Sequence, residues 1–117
     1  MVAHRLSRRT VLEMAAAAGL ARGATPVRLL VVTGGHEFDA SFWTIFNDHP
    51  EWKMERRAHE PANTCTVYDR PIAADFDAVL LYDMPRTITD VQQQHFLALF
   101  ERGVGAVVLH HALAGLQ

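Results

Sequence analysis

Three short stretches hold the residues whose types suit chemistry: Gly34-Gly35-His36-Glu37, Asp83, and His110-His111. An imidazole exchanges protons near neutral pH. A carboxylate can orient an imidazole or take a proton itself. Paired glycines let bare main chain come close to a ligand. Together these groups suit acid/base catalysis or hydrogen bonding to a polyhydroxy ligand. His36, Asp83 and either His110 or His111 could also hold a divalent metal. No spacing among them is diagnostic in the way that HExxH or paired CxxC is, so no cofactor is required by the sequence. Each feature also has a plain structural reading. Gly34-Gly35 would serve as a tight turn, and Asp83 would cap a loop before Pro85. On an extended chain His110 and His111 point to opposite sides, so only one would face a site.

Four strands and two helices must position these residues. Val27–Thr33 is a nearly unbroken apolar, β-branched run, the pattern of a strand covered on both faces. Phe38–Asp48 reads as a short helix with Phe38, Phe42, Trp43, Ile45 and Phe46 on one face, capped by Asp39 or Ser41 and ended by Pro50. Trp52–His59 reads as a poorly patterned edge strand, with Arg56-Arg57 on its solvated side. Glu60–Ile72 reads as a loop. Phe76–Tyr82 is a second continuously apolar strand. Thr87 or Thr89 then caps a helix over Asp90–Arg102, whose apolar face is Val91, Phe96, Leu97, Leu99 and Phe100. Gln92, Gln93 and Gln94 provide solvent positions, and Gly103 follows as a C-cap. Gly105–Leu109 is the last strand. The alternation predicts an α/β fold, a parallel sheet with right-handed crossovers and flanking helices. In such sheets ligands bind at the carboxyl ends of the strands, which places all three stretches on one rim.

The chain has 117 residues, half of them hydrophobic, and a net charge of −2, enough for one small packed domain. The bases concentrate at the start: Arg5, Arg8, Arg9 and Arg22 precede a mildly acidic body. That body has no nucleic-acid patch, and no stretch is long and apolar enough to span a membrane as a helix. Residues 1–26 read as an export signal. Ser7-Arg8-Arg9-Thr10-Val11-Leu12 has the twin-arginine pattern, and alanine-rich Met14–Ala21 follows it, ending in small residues that suit a signal peptidase. Export is the expectation, with a frayed helix of a cytoplasmic protein as the alternative. The single cysteine, Cys65, excludes an internal disulfide and has no activating neighbour in the sequence. His59 and His95 read as surface or helix residues.

Val31-Val32-Thr33-Gly34-Gly35-His36-Glu37-Phe38, Tyr82-Asp83-Met84-Pro85 and the run from Glu101 to Leu113, in this order, resemble the ThuA-like (trehalose utilisation) family. The resemblance covers residues 27–117. It implies a flavodoxin-like sheet related to class I glutamine amidotransferases. It also implies a role in the uptake or breakdown of trehalose, related disaccharides or keto-sugars. The rim residues carried over are His36, His110, His111 and Asp83 as the catalytic set, with Gly34, Gly35 and Glu37 toward the ligand. At the elbow where amidotransferases carry a cysteine, this chain has His110-His111-Ala112, so thiol chemistry is not expected. Domains of that family continue beyond the HHAL turn. The chain therefore resembles their N-terminal portion, truncated after the fourth strand and inactive alone, with an unpaired apolar edge that favours self-association.

Two functional expectations follow. The first is a sugar-acting enzyme in which a rim histidine is the acid/base and Asp83 orients it. The second is a non-catalytic carbohydrate-binding module or inactive fragment. A metal-dependent hydrolase is a third.

Overall fold

The computed structural model describes residues 25–114. The twin-arginine segment and the end of the chain at Gln117 lie outside the described residues. Four strands, β1 (Val27–Gly34), β2 (Trp52–Ala58), β3 (Ala78–Asp83) and β4 (Gly105–Val108), form one sheet in the order β2-β1-β3-β4. Every pairing is parallel. Helical segments flank the sheet, and the arrangement is flavodoxin-like α/β, as the alternation predicts.

β1 is central because it can be buried on both sides. Leu30 and Val32 face one core with Val79, Leu81, Tyr68 and Leu99, while Leu29 and Val31 face the other with Leu80 and Phe46. Leu30, Val31 and Val32 are completely buried, and each contributes roughly 2 kcal/mol of apolar transfer.

The second face is covered by aromatics on a 3₁₀ helix, Ala40–Phe46, whose start is capped by Asp39 accepting from the Ser41 N–H at 2.8 Å. This segment is shorter and more tightly wound than the helix expected over Phe38–Asp48. Phe38, Phe42 and Trp43 pack on one another, but Ile45 is exposed, because a tighter turn rotates it off the apolar stripe.

On the first face, α1 (Asp90–Glu101) begins at a capping box. Thr89 Oγ1 accepts from the Gln92 N–H, and Gln92 Oε1 accepts from the Thr89 N–H. Gln92 is buried rather than solvated, since its amide also donates to Asp69 at 2.7 Å. Leu99 is the fully buried residue of the expected apolar face; Val91, Leu97 and Phe100 remain substantially exposed. Gly103 follows the helix with φ +81°, where only glycine is free of strain.

The segment read as a plain loop, Glu60–Ile72, contributes heavily to the core. Cys65, Val67, Tyr68 and Ile72 are buried, with a 3₁₀ turn at Thr66–Tyr68. Their spacing follows no regular period, so hydrophobic patterning could not mark them.

The sheet has two unlike edges. β2 is lined by charge: Arg57 pairs with Glu55 at 2.7 Å and Arg56 stacks over Trp43 at 4.0 Å. β4 has no charged residue and all four of its residues are exposed.

Candidate functional site at the carboxyl rim

β1 ends at Gly34, and the two glycines turn the chain with φ +136° and +85°. A Cβ on Gly34 would lie 2.9 Å from the Ala62 oxygen, and one on Gly35 would clash with the Met84 oxygen. The close approach that these glycines permit is thus made by the protein's own backbone. This locks the loop after β2 and the end of β3 against the end of β1. The same turn delivers His36 over Tyr82, with ring centroids 4.6 Å apart.

Both ring nitrogens of His36 face main-chain carbonyls, Nδ1 at 3.1 Å from Glu37 O and Nε2 at 3.2 Å from Tyr82 O. The ring is therefore positioned by the backbone and not by a carboxylate. β4 stops at Val108, and His110 takes φ +49° to start a 3₁₀ turn, His110–Ala114. The alternation of an extended chain ends there, so both histidines reach the same place. His110 and His111 lie 3.8 Å apart and stand 6.3 and 5.2 Å from His36, measured between ring centroids. Desolvation, followed by the proximity of His110 and His36, holds His111 below the ordinary imidazole range. A neutral imidazole beside two others is a competent proton acceptor at neutral pH.

Asp83 does not join this cluster. It is the last residue of β3 rather than a loop residue, so its side chain leaves the sheet opposite to Tyr82 and His36. Asp83 is buried and its Oδ2 meets His59 Nε2 at 2.9 Å. The orienting role expected of Asp83 is thus exerted on His59, a residue that reads as surface in the sequence but is completely buried. The Val67 N–H donates to His59 Nδ1 at 3.2 Å, which leaves the ring proton on Nε2 to be donated to Asp83. The sequence signal for this pair was weak: His59 ends a strand next to a proline-containing loop, and nothing local marks it as buried. His95 is half-buried, its Nδ1 2.7 Å from Tyr68 O.

With Asp83 on the other face, the donor set expected for a divalent metal is not assembled. Among the described residues, no group of three or more histidine, cysteine or carboxylate side chains is arranged to hold an ion. Cys65 is buried, and burial together with the Asp83 charge pushes its thiol up to about 11, which removes it as a nucleophile at neutral pH.

A cavity of about 480 Å³ opens at the carboxyl ends of β1 and β2, with His36, Glu37, Glu60, Asn63 and Arg86 among its polar lining. Gly34 and Gly35 are in its wall, and His36 belongs both to this cavity and to the imidazole cluster. Arg86 lines the cavity and makes no ion pair with another described residue. Comparison with protein-family models, curated proteins and solved structures finds no match to this chain. Among the described residues no helix is long and apolar enough to cross a membrane.

Proposed function

We propose that this is a ThuA-like protein of carbohydrate utilisation that binds a disaccharide or keto-sugar at the carboxyl rim. The observation that carries the reading is the cavity of about 480 Å³ with donors and acceptors of both charge signs, joined through His36 to two further imidazoles. Asn63 and Arg86 would donate to sugar hydroxyls, and Glu37 and Glu60 would accept from them. His36 would contact the bound sugar, with His111 as the acid/base. Asp83, which meets His59, takes no direct part in this reading. Among the described residues the His36 ring nitrogens meet main-chain carbonyls rather than a carboxylate, which favours a second reading, a binding module without turnover.

Calorimetric titration of the full chain with trehalose and with a keto-disaccharide, beside a turnover assay, decides between these readings. The enzyme reading expects His111→Ala to lower turnover at least about 100-fold while affinity changes only a few-fold. Saturable binding with no turnover in the wild type establishes the module. No binding of either sugar removes both.

The proposal includes two further parts. Export would depend on the twin arginines, so an Arg8→Lys, Arg9→Lys double change should leave the protein in the cytoplasm. Self-association would proceed through β4, where Val107 and Val108 are exposed on an uncharged edge. Sedimentation should show concentration-dependent association that Val107→Lys abolishes, and a wild-type chain monomeric at all concentrations would end that part.

A further inference from the structure

We propose that the protein carries a second ligand site, for a small organic ammonium ion, on the face of the sheet opposite the imidazole cluster. Between α1, the end of β3 and β4 lies a cavity of about 260 Å³. Its lining is largely apolar and brings Tyr68, Phe96, Phe100 and Val108 together with Asp83, and it contains no lysine or arginine. Phe100 and Val108 reach the surface, so the cavity has a mouth.

Three observations point to a cation with an apolar body. First, Asp83 is 4 % exposed and, among the described residues, pairs with no lysine or arginine: its side-chain hydrogen bond is with His59, through one oxygen. A buried carboxylate without a countercharge is costly, and an ammonium would remove that cost. Second, the aromatic rings form a contiguous wall. Tyr68 and Phe96 are 5.0 Å apart and Phe96 and Phe100 are 5.2 Å apart, centroid to centroid. Aromatic faces beside a carboxylate are the combination that holds organic ammonium ions. Third, the Tyr68 hydroxyl is completely buried and has no hydrogen-bond partner among the described residues. A native buried hydroxyl is ordinarily satisfied, and an N–H donor entering from the cavity would satisfy it. Burial and the Asp83 charge hold that phenol protonated, well above its ordinary range.

The site is independent of the rim reading, because Asp83 and His36 leave the sheet on opposite sides. Titration of the full chain with benzylammonium, followed by the ring resonances of Phe96 and Phe100, tests it. The neutral isostere benzyl alcohol serves as comparator. Saturable binding of benzylammonium is expected, at least about tenfold tighter than benzyl alcohol. Asp83→Asn keeps an acceptor for His59 and should erase that preference, and Phe100→Leu should weaken ammonium binding several-fold. His36→Ala should change neither. Equal binding of the two probes, no binding of benzylammonium at millimolar concentration, or a preference retained in folded Asp83→Asn would overturn the proposal. Should Asp83→Asn fail to fold, the charged-against-neutral comparison in the wild-type chain decides alone.

Discussion

The two faces of the rim use histidine in opposite ways. On one face His59 is sealed, with both ring nitrogens committed to Asp83 and to the Val67 N–H. On the other, His36, His110 and His111 stand together, with no carboxylate of a described residue hydrogen-bonded to their rings and His36 held by two carbonyls. The difference teaches that a histidine's chemical freedom depends on what satisfies its nitrogens. A ring with both nitrogens used inside the core is architecture, whereas a cluster of rings at the surface keeps proton-exchange capacity.

The largest effect should come from breaking the sealed pair. His59→Ala strands the Asp83 carboxylate and the Val67 N–H in the core and should cost about 3 kcal/mol or more, read from urea denaturation. A loss below about 1 kcal/mol would show that the pair is not the anchor its burial implies. Next in size, Gly35→Ala should destabilise by about 2 kcal/mol or more, because φ is +85° and the Met84 oxygen occupies the Cβ position. A smaller loss would mean that the loop after β3 shifts easily, and with it the seat of His36.

On the open face, His111→Asn should alter stability by no more than about 0.5 kcal/mol at pH 8. Its effect should appear as pH falls. The folded chain holds His111 below its ordinary value, so the unfolded chain takes up the proton first. Above pH about 6.5 this linkage costs nothing, and below it stability falls until the lowered folded value is passed. His111→Asn should remove that part of the pH dependence. The smallest and sharpest test is His36→Ala, which takes away one of the three causes of the shift. The His111 titration, followed by NMR, should move up toward the ordinary range; an unchanged value would mean that the rings do not sense each other.

Much of the fold was legible in the chain. The nearly unbroken apolar run beginning at Val27 and the continuous one through Val79–Leu81 mark strands buried on both faces, and their alternation with helical segments dictates parallel connections. Thr89, one of the two threonines expected to cap the helix, does so by local hydrogen-bond chemistry, and Gly103 follows its end, whereas the part Gln92 plays in that cap was not read. These features are local, and local backbone preference acts over a few residues. The gathering of His36, His110 and His111 was partly legible from strand ends alone. Its completeness was not, since it requires β4 to stop one residue early and His110 to adopt a positive φ.

The tertiary structure alone decided the rest. Glu60–Ile72 carries no period, yet it supplies Cys65, Val67 and Tyr68 to the core, because burial there follows the shape of the space between sheet and α1. The partner of Asp83 was likewise beyond the sequence. One residue of strand length sends its side chain to the opposite face, and His59 is 24 positions away in the chain. Sequence determined which elements form and which groups reach the rim. Which histidine meets the carboxylate, and which histidines meet one another, was set by strand register and packing, which join residues that no local pattern connects.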